Sequence, residues 1–325
     1  MKTIRHLRLA ALLAIAALGL SQAMPAAAQT YPSKPVKLVV PFPAGSATDQ
    51  VARVTAQELQ DALGQPFVVD NKPGAQGAIG AEQVAKSAPD GYTLLVTTNT
   101  TQAANVSLFK KLSYDPVKDF QPIVRLGTTS FMLMTRPDFP ARNLKDFLAH
   151  ARANSGKLSV GYGSAGSQVS AAMLGSMGKF EATQVPYKGI PQAITDVLGG
   201  TLSYTFVDLA NALAQLKGGK LIGLAVTSEK RTPLAPEVPA VAEVLPGYEL
   251  IAWMALMAPA GTPRDAVAKV HDTMARSLAK PSFGEAFSRI GMDVGPMNPE
   301  QLSRFIQVEI GKWAKLTKEA GIQPE

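Results

Sequence analysis

Val36-Lys37-Leu38-Val39-Val40, then the loop Pro41-Phe42-Pro43-Ala44-Gly45-Ser46-Ala47-Thr48-Asp49, then a run with Val51, Val54, Leu59, Ala62 and Leu63 before Gly64, sets a pattern that the chain repeats. The first five residues have the β-branched bias of a buried strand. Thr48 is placed to cap a helix whose apolar positions share a face and which Gly64 ends. Phe67-Val68-Val69 reads as a second strand, Ile79 to Ala88 as a second helix, and Tyr92 to Thr98 as a third strand after the turn Pro89-Asp90-Gly91. Further strands are expected at 121–126, 131–135, 158–162, 183–187, 202–206, 221–227 and 250–257. Further helices are expected at 143–153, 168–178, 191–198, 208–217, 263–279 and 300–319. Such alternation builds parallel sheets with helices on both faces.

The chain has 325 residues, enough for about two domains with separate cores. An α/β alternation of this length is better housed in two lobes than in one sheet. The turn-prone stretches at 125–130 and 233–246 divide it into one lobe of 29–126 plus 252–325 and a second of 127–251. The chain would then cross between lobes near 127 and 251, which makes a hinge. Ligands of open α/β sheets sit beyond the carboxyl ends of the strands, so two facing sheets enclose a cleft.

At the N-terminus Lys2, Arg5 and Arg8 precede the apolar run Leu9 to Leu20, followed by Pro25 and Ala26-Ala27-Ala28. That is the layout of a secretory signal peptide over residues 1–28, cut after Ala28. The apolar run falls short of the ~20 residues that span a bilayer. An exported protein, located in the periplasm, is expected. Removing the leader takes the formal charge from +7 to +4. With aromatics at 6% and no basic stripe, nucleic-acid binding is not expected. The absence of cysteine excludes disulfides, thiolate metal sites and thiol catalysis, and three histidines leave little for a polyhistidine metal site.

The residues able to carry chemistry lie at four strand ends. In the first loop Phe42, Ala44, Ser46 and Thr48 combine an aromatic, a flexible backbone and two hydroxyls, while Asp49 reads as a first-turn acid that suits the helix dipole. Thr97-Thr98-Asn99-Thr100-Thr101 ends the third strand, offering Thr98 and Thr100, and Phe206-Val207-Asp208 ends another. Gly161-Tyr162-Gly163-Ser164-Ala165-Gly166 matches a glycine-rich phosphate loop in form, but Glu181 is misplaced as a ribose acid. Gly163, Ser164, Gly166 and Ser167 therefore read either as an anion cradle opening a helix or as a plain strand-to-helix turn. No paired acid and base and no metal cluster stands out. His150 and His271 read as surface helix residues, and Lys188, after Val185-Pro186-Tyr187, is the one cation expected near the cleft. No enzymatic activity and no cofactor are expected.

Several longer stretches carry a family resemblance. They are Tyr31-Pro32-Ser33-Lys34-Pro35 with Leu38 to Pro43, Val68-Val69-Asp70-Asn71-Lys72-Pro73-Gly74-Ala75 with Gly77, Ile79 and Gly80, and Ala88-Pro89-Asp90-Gly91-Tyr92-Thr93-Leu94-Leu95. Ser113 to Phe120, Pro186-Tyr187-Lys188-Gly189, Leu224 to Ser228, and Ala258-Pro259-Ala260-Gly261-Thr262-Pro263 extend them. Along nearly the whole chain the sequence resembles the substrate-binding receptors of tripartite tricarboxylate transporters, the TctC/Bug family. The resemblance implies a two-lobed, type II-like periplasmic binding protein, each lobe a mostly parallel sheet flanked by helices, with a ligand cleft between them. It implies a small carboxylate ligand held by backbone groups, hydroxyls and waters rather than by arginine, and contacts in the loops after Val40, after Val96 and at 161–167. Integral membrane subunits of such a transporter are the implied partners, with a sensor kinase as a further candidate and a monomer as the expected state. The paired glycines that the family carries after Pro43 are replaced by Ala44-Gly45-Ser46, and the stretch from Gly163 lacks the family's His and Glu. A secreted hydrolase, or a ligand-loaded signal for a membrane sensor, is the competing reading.

Overall fold

β1 (Val36–Val40) buries every residue except Lys37. α1 (Ala47–Leu63) packs Val51, Ala52, Thr55, Ala56 and Leu59 inward, a stripe at helical spacing, whereas Ala62 is exposed. Its N-cap is Ser46 rather than the expected Thr48. The Ser46 Oγ accepts the Asp49 N–H at 3.2 Å from an extended backbone, which places Thr48 inside the first turn. Gly64 ends the helix in the left-handed conformation, φ 71°. These elements belong to a computed structural model that describes residues 31–325, of which Lys34–Glu325 forms one compact unit. The signal peptide expected over 1–28 lies outside the described residues.

The remaining elements follow as β2 (Phe67–Asn71), α2 (Ala78–Ala85), β3 (Thr93–Thr98), α3 (Asn105–Leu108), β4 (Phe120–Thr135), α4 (Leu144–Ala153), β5 (Leu158–Tyr162), α5 (Ala165–Gly178) and β6 (Ala182–Pro186). Then come α6 (Ile190–Leu198), β7 (Tyr204–Asp208), α7 (Leu209–Lys217), β8 (Ile222–Val226), β9 (Ile251–Pro259), α8 (Arg264–Leu278), α9 (Pro281–Arg289), β10 (Asp293–Met297) and α10 (Pro299–Glu319). One sheet has the order β2-β1-β3-β9-β4-β10 and the other β6-β5-β7-β4-β8. The strands of each sheet run mostly in one direction. β9 and β10 oppose the rest in the first sheet, and β4 opposes the rest in the second.

β4 belongs to both sheets. Phe120 to Ser130 pairs with β9, and Phe131 to Met134 pairs with β7 and β8. The sequence divides this segment into strands 121–126 and 131–135, because Gly127-Thr128-Thr129-Ser130 breaks the apolar pattern. The structure joins them into one strand. Thr129 and Ser130 are polar yet buried, and their backbone ladder to β9 continues past register shifts at Pro122/Val124 and Arg125/Gly127. Three elements escape a sequence reading altogether, α3, α9 and β10. Each is short, and α9 buries only Phe283 and Phe287.

α10 closes the back of the first sheet. Its Glu309, 4% exposed, accepts both indole N–H groups of the chain through Oε2, from Trp253 at 2.8 Å and Trp313 at 3.0 Å. Both rings are fully buried, so this carboxylate satisfies two donors that water cannot reach. Replacing Glu309 with Leu strands both. Urea denaturation should show a loss of about 2–5 kcal/mol, while Glu309→Gln, which keeps an acceptor oxygen, should cost about 2 kcal/mol or less. Equal losses in the two variants would mean that the shared acceptor is not what matters.

Candidate functional site

The ends of β1, β3, β5 and β7 meet at one cavity of about 40 Å³, lined by Phe42, Ser46, Ala47, Thr48, Thr98, Asn99, Thr100, Thr129, Phe131, Gly163, Ser164, Ile190, Asp208, Ala252, Trp253 and Met254. One water needs about 10–15 Å³ on this scale, so the space suits a small molecule. Eight of the residues expected from sequence line it: Phe42, Ser46, Thr48, Thr98, Thr100, Gly163, Ser164 and Asp208. Ala44, Gly166 and Ser167 do not. Ala44 is exposed on the outer side of its loop, and Gly166 and Ser167 lie buried in the first turn of α5. The far wall, from Thr129 and Phe131 of β4 and Ala252, Trp253 and Met254 of β9, is absent from the sequence reading.

The first loop is held from beneath. Asn71 donates to Phe42 O and to Asp49 Oδ1, both at 3.0 Å. Asp49, 3% exposed, also accepts from Gly45 N at 3.0 Å and from the Arg53 guanidinium at 2.9 and 3.0 Å. Burial alone would raise its pKa, but Arg53, Gly45 and Asn71 together hold the carboxyl below its ordinary value. Its stabilising contribution is therefore present at neutral pH and fades as pH falls through the lowered value. Asp49 is a strut for the loop and is absent from the cavity wall.

The threonine-rich loop is rigid for similar reasons. Thr97 Oγ1 contacts Thr101 Oγ1 at 2.5 Å, Thr98 Oγ1 accepts from Thr100 N at 3.1 Å, and Tyr114 donates to Thr101 O at 2.6 Å. Residues Thr100–Ala104 form a π-helical turn, a feature that often marks functional sites. Asn99 is 2% exposed and accepts the backbone N–H of Trp253 through Oδ1 at 3.4 Å. Its Nδ2 is buried at the cavity without a hydrogen-bond partner. Sequence reasoning passed over Asn99 among its threonine neighbours. A polar residue one step past a strand end was the signal available.

The loop from Gly163 departs from expectation in its details. The helix starts at Ala165, three residues before the expected 168, because Ser164 and Ser167 form a reciprocal capping box. Ser167 Oγ accepts from both Gly163 N and Ser164 N at 3.1 Å, so these two N–H groups are occupied inside the loop. The N–H groups of Ala165 and Gly166 are the first-turn donors left over. Neither Gly163 nor Gly166 has a positive φ. Each is small because something lies close: a Cβ on Gly163 would sit 2.3 Å from the Gly189 backbone, and one on Gly166 would sit 2.2 Å from the Phe131 ring.

Asp208 caps α7, accepting from Asn211 N and Nδ2, each at 3.1 Å. Burial pushes its carboxyl up, against the lowering effect of those bonds. Ser46, Ser164 and Asp208 are thus three N-caps on one cavity, and the helices α1, α5 and α7 all present their N-termini to it. No lysine, arginine or histidine is among the lining residues. Lys188 is exposed and off the wall. His150 packs on Phe139 and His271 contacts Asp272, both away from the cavity. A site with three positive helix ends, hydroxyls and an amide is built to hold a small anion without an ion pair.

A two-lobed binding protein is the class that this fold and cavity define. The chain belongs to the tripartite tricarboxylate transporter family receptors, whose family model matches residues 51–322. It is 35% identical over 305 residues to the protein BugT of Bordetella pertussis (strain Tohama I), covering 92% of this chain and 93% of BugT. Among solved structures, R. palustris Rpa4515 with adipate matches with a TM-score of 0.89 and 34% identity over 91% of this chain and all of that one (100%). MatC from Rhodopseudomonas palustris with bound malate matches with a TM-score of 0.82 and 34% identity over 88% of this chain and 99% of its own. Receptors of this family are periplasmic solute-binding proteins, and no described helix of this chain is long and apolar enough to cross a membrane.

Two substitutions separate loop architecture from cavity shape. Ser164→Ala removes the N-cap and should lower stability by about 1 kcal/mol in urea denaturation. Gly166→Val forces the Phe131 ring out of its place, an overpacking cost of about 1–3 kcal/mol with a deformed cavity wall. If Gly166→Val leaves stability at the parent value, the close approach to Phe131 does not constrain the protein.

Proposed function

We propose that this chain captures a small carboxylate in the cavity and delivers it to the integral membrane subunits of a tripartite tricarboxylate-type transporter. It works as an exported periplasmic protein, cut near Ala28, and has no enzymatic activity of its own. The single observation that carries the reading is the convergence of three helix N-termini on a cavity without a cationic side chain. Backbone N–H groups of Ala47, Thr48, Ala165 and Gly166, the Nδ2 of Asn99 and the hydroxyls of Ser46, Thr48, Thr98 and Thr100 are the proposed donors, with Phe42, Phe131 and Trp253 packing the ligand's carbon skeleton. The adipate and malate of the two solved relatives support the carboxylate class.

In this reading the lobes are 29–126 plus 252–325 and 127–251, with the crossings near 127 and 251, while the pairing of β4 changes from one sheet to the other between Ser130 and Phe131. Contacts between elements of the two sheets support a closed form. Gln76 Nε2 donates to Gln168 Oε1 at 2.8 Å, and Gln50 Nε2 donates to Asn211 Oδ1 at 3.4 Å. Both are bonds between neutral amide side chains, which exchange readily for bonds to water.

Isothermal titration against succinate, malate, adipate, aspartate and glutamate tests the assignment, beside turnover assays on their esters and amides. Binding without turnover is expected, with a smaller radius of gyration in small-angle scattering once the bound compound saturates the protein. Lys188→Ala should weaken binding less than about tenfold. Ester hydrolysis, or no binding across the panel, would overturn the reading.

A further inference from the structure

The cavity contains a contradiction for an anion receptor. Its one ionisable side chain is itself a carboxyl, Asp208, 6% exposed, at the N-terminus of α7 where the other two converging helices carry serines. Every partner of Asp208 is neutral: Asn211 N and Nδ2 at 3.1 Å on Oδ1, and Nδ2 at 3.3 Å on Oδ2. Phe131 stands opposite it across the β4–β7 ladder.

The charged groups on the surrounding elements are turned to other partners. On α1, Asp49 and Arg53 pair with each other at 2.9 Å. On β4, Arg125 donates to Gly295 O at 2.6 Å, and just past its end Arg136 pairs with Asp138. On α6, Asp196 accepts from Tyr187, and Lys217 lies at the far end of α7. β5, β8 and α5 carry no charged residue. Glu229, Lys230, Arg231, Glu249 and Asp293 border Leu209 in an outer groove and are all exposed. None of these is hydrogen-bonded or ion-paired to Asp208. A bare carboxylate there would face a bound carboxylate across a desolvated space, with nothing to relieve the repulsion.

We propose that Asp208 meets the ligand as a carboxylic acid, donating a hydrogen bond to the bound carboxylate, so that capture in the closed cavity takes up one proton. The inference rests on the carboxylate reading of the site. Burial, which favours the neutral form, acts in the same direction. Asn211 is the positioning residue. It anchors Asp208 through two donors while its Oδ1 accepts Gln50 from the other sheet's helix, so the acid is oriented by a residue that also bridges the two sheets.

The same five-compound panel decides the matter, titrated from about pH 6.5 to 9, where the side-chain and backbone carboxyls of the probes are ionised. Titration in two buffers of different ionisation enthalpy counts the protons. Expected is an uptake rising toward one proton as pH increases, with Kd weakening about tenfold per pH unit once free Asp208 is ionised. Asp208→Asn keeps an equally good helix cap and supplies a permanent N–H donor. It should bind more tightly than the parent at the alkaline end and lose the pH dependence, with an unchanged thermal midpoint confirming the fold. Carboxylate binding without proton uptake overturns this proposal and leaves the carboxylate reading standing. So does binding confined to aspartate or glutamate and abolished in Asp208→Asn, which would make Asp208 the partner of a ligand ammonium. A panel in which nothing binds sinks the carboxylate reading itself, and this inference with it.

Discussion

The cavity depends on β4 remaining one strand. Its hydrogen bonds pass from β9 and β10 to β7 and β8 between Ser130 and Phe131, so one strand ties the two sheets together. Thr129 is thereby held opposite Ala252 and Phe131 opposite Asp208. Residues two apart on a strand share a face, and Thr129 and Phe131 both look into the cavity. A flexible connection in place of Gly127 to Ser130 would leave the walls free to slide. Instead side-chain bonds pin the changeover: Thr129 donates to Gly291 O at 2.7 Å, and Phe131 N donates to Thr227 Oγ1 at 2.9 Å.

Around that frame the chain handles charge with fixed dipoles. An arginine would recognise an anion strongly, but its long side chain must be ordered and its charge desolvated. Helix N-termini carry partial charge on backbone that is already immobile. The supporting bonds serve this rigidity: Asn71 under the first loop, Tyr114 under the threonine loop, and Ser167 inside the third. The loops are therefore aimed before any ligand arrives, which lowers the entropic cost of binding.

Much of this was legible in the residues. The alternation of apolar runs gave the order of nearly all elements, since periodicity reports which face is buried. Polar strand ends marked three of the four loops through their serines and threonines, and Asp208 the last. What periodicity does not report is contact between distant strands. Phe131 and Trp253 read as ordinary core residues, and only the β4–β9 and β4–β7 pairings turn them toward the site. The helix starts at 47 and 165 differ from the reading by two and three residues, because Ser46 and Ser164 compete with nearby Thr48 and Ser167 as caps and only geometry chooses. Gly166 reads as part of a cradle or a turn, whereas the space at that position is closed by the Phe131 ring.

The carboxylate that binds both indoles has an optical consequence. The chain contains two tryptophans, and their ring nitrogens sit on the same oxygen of Glu309. All indole emission thus originates from one dry spot behind the cavity, where Trp253 forms the wall and Trp313 does not. The protein carries its own fluorophore and its own reference side by side, both bonded to one carboxylate and only one of them facing the cavity.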